Sequence, residues 1–310
     1  MPELPEVETI KRSLLSEVVG DTITKCRIYF EKMLQNITGE QFLQEVSDTM
    51  ITDVRRRGKY LLVYLSNANS KENMNDSENS SDSVMIIHLR MTGRFTIVSN
   101  PGNYPKENEL YNSNNEDGFK HLRAVFFLNS GKVLEFHDQR KFGTIALLNT
   151  GEEHDWKGLS KLGPEPLSCD FSQEDLSAKL ARTKKPVKAC LLDQQLIAGV
   201  GNIYADEALY RAKIHPAKPG DKLTEREKSK LFKSMCEVLQ LGIKYRGTTF
   251  SDYRDFYGNQ GEFQNFLKVY NQNGLVCNYC GETIEKSKVA NRGTFFCPCC
   301  QSDEGEFEEN

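Results

Sequence analysis

Two sets of residues in this 310-residue chain have types and spacings that could do chemistry. The first is Cys277-x2-Cys280 followed, sixteen residues on, by Cys297-x2-Cys300. Two such pairs on separate turns can place four thiolates tetrahedrally around zinc, and the spacing matches a structural zinc ribbon. A redox pair or buried thiols would be the alternative. Cys299 adds a second possible spacing through Cys297-Pro-Cys299, and Cys300 is preferred because its two-residue spacer repeats that of the first pair. Four thiolates leave the metal no open position, so one structural Zn2+ would fold a unit of few apolar residues. The second set is Pro2, Glu3 and Glu6. A small residue after the initiator Met permits removal of Met1, which would leave a secondary amine at the chain start. An α-amine has a pKa near ~8, so part of it is neutral at physiological pH. A neutral amine can attack a carbonyl-like carbon and form a Schiff base. Glu3 and Glu6 put proton carriers beside it. The plainer alternative is a proline leading a helix whose first turn carries carboxylates.

The elements that must position these groups can be read coarsely. Val7, Ile10, Leu14, Leu15 and Val18 recur at helical spacing over residues 6–19, and Gly20 would end that helix. Segments 59–65, 84–89, 123–128 and 132–136 are short, branched or aromatic, and bounded by turn formers, as strands are. Asn129-Ser130-Gly131 reads as a hairpin turn between two of them. Residues 188–195, 204–211 and 225–245 are helical in pattern, and Leu196–Tyr204 interrupts them with two glycines. Segments 67–83 and 101–118 read as polar surface insertions.

The expected fold is α+β and multidomain. Residues 1–150 form an N-terminal β-sandwich with a leading helix. Residues 151–265 form a helical domain that includes a long loop at 247–265. Residues 266–301 form a zinc-ribbon β-hairpin, and 302–310 an acidic tail.

The net charge of −4 is unevenly placed. The tail carries five carboxylates and segment 67–83 carries four with one lysine, so the remaining body is +4. Basic clusters stand at Arg55-Arg56-Arg57, Arg140-Lys141 and Lys184-Lys185, each of which taken alone is as well explained by a solvated face. No apolar run is long enough to span a membrane. The start of the chain lacks the apolar core of a signal peptide. The nine cysteines are therefore expected to be thiols or metal ligands in a cytoplasmic setting. Cys26, Cys169, Cys190 and Cys236 are scattered, as ordinary core or surface residues are.

In order along the chain stand MPELPEVE (1–8), RRRGKYLL (55–62), HLRMTGRF (88–95), DQRKFG (138–143), LGPEPL (162–167), AGVGNIYADEALY (198–210), IHP (214–216) and the paired CxxC motifs. This succession strongly resembles the bacterial formamidopyrimidine-DNA glycosylase family, the MutM type. The resemblance spans nearly the whole chain and rests on the joint order of the motifs rather than on any one.

The resemblance implies a nucleoid-associated monomer acting on double-stranded DNA that contains oxidised bases, and it assigns residues. Pro2 stands where the family's proline attacks the sugar C1′. Glu3 matches the general acid and base, and Glu6 a second carboxylate near the lesion. Lys59 matches a lysine on the neighbouring phosphate that assists elimination, and Arg292 the finger arginine that clamps the flanking phosphate. A guanidinium suits that clamp because it can bind two oxygens at once. C1′ cannot be reached inside a stacked duplex, so the nucleotide must flip out. Met91, Arg140 and Phe142 match the trio inserted into the gap, where apolar wedges replace lost stacking. Without the resemblance, Met91 and Phe142 would read as core. Lys188, His88 and His121 match DNA-backbone contacts. Gly199-Val200-Gly201-Asn202 resembles the helix–two-turn–helix hairpin, with Asn202 and backbone N–H groups on a phosphate. Segment 247–265 takes the place of the lesion-recognition loop.

The implied activity is a bifunctional glycosylase and lyase of base-excision repair. It would excise 8-oxoguanine and formamidopyrimidines and nick the strand by β,δ-elimination. Two other readings compete. One is the sister endonuclease VIII type, which favours oxidised pyrimidines. The other is a non-catalytic zinc-ribbon DNA-binding protein, which leaves Pro2, Glu3 and Lys59 unexplained.

Overall fold

The computed structural model describes residues 1–67, 82–99, 104, 119–250 and 253–302. Most of the two polar insertions and nearly all of the acidic tail lie outside the described residues. The chain divides into two compact units that do not follow its linear order. The first comprises Met1–Pro2, Glu6–Ser160 and Thr248–Gly261; the second comprises Glu3–Pro5, Lys161–Gly247 and the described residues from Glu262 onward.

The first unit is the β-sandwich. Its strands are β1 (Thr22–Ile28), β2 (Thr49–Arg57), β3 (Tyr60–Asn67), β4 (Ser83–His88), β5 (Gly93–Val98), β6 (Leu122–Leu128), β7 (Val133–Asp138) and β8 (Thr144–Asn149). They hydrogen-bond in the order β5-β7-β6-β1-β2-β3-β4-β8, every neighbouring pair antiparallel. Helix α1 (Leu4–Glu17) packs Val7, Ile10 and Leu14 into the core, and α2 (Gly39–Val46) adds Phe42 and Val46. α1 ends at Glu17, before Gly20, which takes φ +92° in the turn toward β1. Every residue of β4 and of β7 is buried. β4 accordingly shows an apolar run, Val84–Ile87, whereas β7 buries Glu135, His137 and Asp138 among its apolar residues.

β1 and β2 are less visible for a physical reason. Each carries a register shift, between Ile23 and Lys25 and between Ile51 and Asp53. A bulge adds one residue and breaks the two-residue alternation that marks a half-buried strand. The buried side chains Ile23 and Cys26, and likewise Ile51 and Val54, are consequently three residues apart.

The second unit holds α3 (Gln173–Leu180), α4 (Val187–Leu192), α5 (Asn202–Ala212), α6 (Glu225–Lys244) and the hairpin of β9 (Glu285–Val289) with β10 (Arg292–Phe296). Ser172 and Thr224 open α3 and α6 with capping boxes closed by Asp175 and Glu227, which satisfy orphan N–H groups reciprocally. The helices share a core built on Leu191, Tyr204, Leu209, Leu231 and Leu239. The hairpin unit has a small core of Val269, Ile284, Phe295 and three of its cysteines. Glu207, buried on α5, accepts backbone N–H groups from Lys268, Val269 and Tyr270 at 2.9–3.1 Å, which fixes the segment leading into the hairpin. Among the described residues no helix is long and apolar enough to cross a membrane.

Candidate active-site residues

In the first unit, Pro2 is buried beneath an exposed Met1. While Met1 is attached, the Pro2 nitrogen is an amide and not a nucleophile. Glu6 is buried and its Oε1 accepts the N–H of Thr248 at 2.7 Å, so it ties α1 to the start of the 248–261 segment. That segment anchors itself on the same body. Tyr253 and Phe256 enter the sandwich core, and the Tyr257 hydroxyl donates to Glu17 at 2.8 Å.

Lys59 occupies the second position of a two-residue hairpin between β2 and β3, after Gly58 at φ +57°. Glycine supplies the left-handed first position that such turns require. Lys59 is buried for most of its length. His88 lies directly across the ladder from Tyr60, the ring centroids 4.5 Å apart. Its Nδ1 accepts the Arg90 N–H at 2.9 Å. Burial, with Arg90 and Lys59 nearby, pulls the His88 pKa down to about 3. It is therefore neutral at physiological pH and could meet a phosphate only as an Nε2–H donor. His121 is half-buried, its pKa lowered by partial burial and by Arg123, Lys120, Arg94 and His137 around it.

Met91 and Phe142 do not enter the core. They are 39% and 56% exposed, and the Arg140 guanidinium donates to Met91 Sδ at 3.3 Å. Two apolar side chains and an arginine thus stand on adjacent turns, Leu89–Thr92 and Gln139–Phe142, in contact with solvent.

In the second unit, Glu3 is 3% exposed and sits at the N-terminus of α5. Its carboxylate accepts the N–H of Ile203 at 3.2 Å and, more weakly, that of Tyr204 at 3.5 Å. A helix N-terminus offers N–H groups that lack partners within the helix, and the Glu3 carboxylate takes two of them. The two glycines of 198–202 are explained by this contact. A Cβ on Gly201 would stand 2.1 Å from Glu3 Cδ, and one on Gly199, at φ +88°, would stand 2.7 Å from Leu4 Cδ1. The close approach they permit is that of the chain's own N-terminal residues.

Lys188 and Asn202, both expected on phosphates, also make contacts within the protein. Lys188 is fully buried, its ammonium 2.6 Å from Asp206, 2.9 Å from Gly293 O and 2.8 Å from Thr294 Oγ1. Such a lysine has no exposed surface for a phosphate, and it fastens β10 to α4 and α5. Burial pushes Asp206 up to about 7 against the pull of Lys188 and of the Phe295 N–H. Asn202 donates from Nδ2 to Gly293 O at 3.0 Å. Arg292 is exposed at the mouth of the β9–β10 hairpin, beside Ala290 and Asn291 at φ +49° and +61°. Successive left-handed residues make the tight turn that lets a two-residue loop follow the strand twist.

Cys277, Cys280, Cys297 and Cys300 bring their sulfurs within 4.8 Å of one another. Cys277 and Cys300 sulfurs are 3.8 Å apart, and those of Cys280 and Cys297 are 3.4 Å apart. A tetrahedron with Zn–S bonds of 2.3 Å has edges of about 3.8 Å, so the donors fit one zinc. Cys299 is outside this cluster. The Tyr210 hydroxyl lies 3.2 Å from Cys277 Sγ.

Sequence reasoning did not single out Thr92, Asp138, Asp206 or Glu207. Asp206 and Glu207 left a trace, two adjacent carboxylates in an otherwise apolar helix. Asp138 left none beyond its place in DQRKFG.

A sandwich, a helix–two-turn–helix unit and a four-thiol finger define a DNA-repair glycosylase architecture. The formamidopyrimidine-DNA glycosylase N-terminal domain matches residues 1–145, the formamidopyrimidine-DNA glycosylase H2TH domain residues 162–254, and the zinc finger found in FPG and IleRS residues 274–302. The chain belongs to the formamidopyrimidine-DNA glycosylase family. It is 41% identical to the formamidopyrimidine-DNA glycosylase of Desulforamulus reducens, across 97% of this chain and 99% of that one. With that of Heliobacterium modesticaldum it shares 42% identity over 97% and 100%. Among solved structures, a Lactococcus lactis Fpg bound to DNA with an abasic site matches at a TM-score of 0.81 and 35% identity, over 97% of this chain and all of that one. The wild-type Lactococcus lactis protein with DNA containing an oxidised pyrimidine matches equally, at 0.81.

Proposed function

We propose that this glycosylase excises oxidised purines, chiefly 8-oxoguanine and formamidopyrimidines, and then cleaves the abasic strand. Removal of Met1 frees the Pro2 amine, which attacks C1′ of the flipped nucleotide. The C1′–N bond breaks and the base leaves with a proton. The sugar ring opens to give an iminium between Pro2 and C1′, with Glu3 moving the protons. Loss of a C2′ proton expels the 3′ phosphate, and a second elimination expels the 5′ phosphate. Lys59 and Arg292 hold those phosphates, with His88, His121 and Asn202 as further backbone contacts. Met91, Arg140 and Phe142 fill the gap in the duplex. The protein acts as a monomer, and zinc on the four cysteines holds the finger that carries Arg292.

The observation that carries this reading is the state of Glu3. It neighbours Pro2 in the chain, is buried, and is held by the first N–H groups of α5. A buried carboxylate that accepts backbone N–H groups and follows Pro2 directly in the chain suits a proton carrier. The substrate half is tested by single-turnover excision from 8-oxoguanine:C and thymine-glycol duplexes. Faster excision of 8-oxoguanine is expected. A clear preference for thymine glycol would assign the chain to oxidised pyrimidines, a reading kept in view because a relative was solved on such DNA.

A further inference from the structure

We propose that Thr92 and Asp138 are positioning residues, a buried clasp that sets the two wedge-bearing turns against each other. This rests on the reading of Met91, Arg140 and Phe142 as the inserted trio. Asp138 ends β7 and is 1% exposed, yet no cation pairs with its carboxylate among the described contacts. Its acceptors are spent on the turns instead. Oδ2 takes the Gly143 N–H at 2.7 Å, and Oδ1 takes the Arg140 N–H at 3.2 Å and the Thr92 hydroxyl. Thr92 Oγ1 in turn accepts the Arg140 N–H at 3.0 Å. One carboxylate and one hydroxyl therefore join the turn that bears Met91 to the turn that bears Arg140 and Phe142.

Both turns need such a clasp. Arg90, before Met91, has φ +53°, and Lys141, between Arg140 and Phe142, has φ +60°. Non-glycine residues are disfavoured there and persist when surroundings over-determine them. The space around the clasp is fixed as well. A Cβ on Gly143 would stand 2.8 Å from the Phe136 ring, and one on Gly93 would stand 2.5 Å from Leu89 O. The tips, by contrast, are open to solvent, with Met91 39% and Phe142 56% exposed and Arg140 in contact with the Met91 sulfur. Their spacing before DNA arrives depends on the base of the turns. A wedge held at its working spacing does not lose conformational freedom on insertion, which is the advantage of preorganisation.

The test uses the full zinc-loaded protein and a duplex with a tetrahydrofuran abasic analogue opposite 2-aminopurine, whose fluorescence reports insertion without chemistry. Thr92→Val keeps the shape and removes the hydroxyl. It should slow insertion roughly 10-fold or more, the scale on which small misplacements act. Thr92→Ser should restore the rate. In a Phe142→Ala background Thr92→Val should add little, because its effect runs through the trio. Asp138→Asn, which turns an acceptor into a donor facing an N–H, should be worse than Thr92→Val. Two outcomes overturn the proposal separably. If Met91→Ala and Phe142→Ala slow insertion but Thr92→Val does not, the clasp has no positioning role. If the alanine variants themselves insert normally, the wedge reading falls and the proposal falls with it.

Discussion

Gly201 and Glu3 are in such close contact that a single added methyl would collide with the carboxylate, 2.1 Å from Glu3 Cδ. The glycines in AGVGN serve a contact within the protein. They accommodate the chain's first residues, and Leu4 N–H closes the arrangement on Gly199 O at 3.0 Å. Gly201→Ala should displace Glu3 from α5 while leaving the buried helix intact. Single-turnover excision should fall by roughly 100-fold, the cost of misplacing a catalytic group by about 1 Å. Unchanged excision with a native circular dichroism spectrum would remove Glu3 from the chemistry.

Lys188 separates a structural from a DNA-contacting role. Lys188→Met leaves Asp206 as an uncompensated buried carboxylate and should destabilise the unit that holds it by about 3–5 kcal/mol. Replacing both, with Asp206→Leu added, should recover most of that loss. A phosphate contact would behave differently, lowering the salt dependence of DNA binding by about one unit of slope at unchanged stability. Urea midpoints and a salt titration of affinity distinguish the two.

His88 should make the fold acid-sensitive. Its folded pKa, about 3, lies below the ordinary value of 6.5. A base with a depressed folded pKa contributes stability above its unfolded pKa and loses it as pH falls. The window is therefore pH 6.5 down to about 3. At about 1.4 kcal/mol per unit, the full shift amounts to a few kcal/mol. His88→Gln should flatten the stability slope across that window. An unaltered slope in urea unfolding would show that other groups carry it.

Phe142→Ala should cost excision without costing the fold. The side chain is 56% exposed, so stability should change by no more than about 0.5 kcal/mol. Lesion binding should weaken and excision slow together. A large drop in melting temperature would instead make Phe142 a packing residue.

What could be read from the sequence depended on how each feature is encoded. β4 and the α1 face were legible because burial writes a continuous or helical apolar pattern, and β7 through Val133, Leu134 and Phe136 after the Asn129–Gly131 turn. β1 and β2 were hidden by bulges that break the period. The zinc cysteines were legible because local spacing alone specifies them, whereas the Thr92–Asp138 clasp and the Lys188–Asp206 pair join residues far apart in the chain. Met91 and Phe142 showed the reverse failure. Hydrophobicity alone assigns them to the core, and only their place among the motifs marked them as exposed. The 248–261 segment follows α6 in the chain but packs with the sandwich through Tyr253 and Phe256, a choice made by tertiary contacts.

Zinc should be indispensable to the finger and dispensable to the sandwich. The hairpin unit buries few apolar side chains, so Cys277→Ser or chelation should unfold it and abolish DNA binding. Cys299→Ser should retain a full equivalent of zinc, because its sulfur is outside the cluster. Zinc content by mass spectrometry, together with an electrophoretic shift on lesion DNA, checks both.

In the proposed reaction the amine of Pro2 forms the bond to the sugar. Borohydride reduction of the protein incubated with 8-oxoguanine duplex tests it most directly, after intact mass has shown that Met1 is gone. The expected result is a covalent protein–DNA adduct whose DNA maps by peptide mass spectrometry to Pro2, and which Pro2→Gly sharply reduces. No adduct from the processed wild-type protein, or an adduct mapped to a lysine, would contradict it.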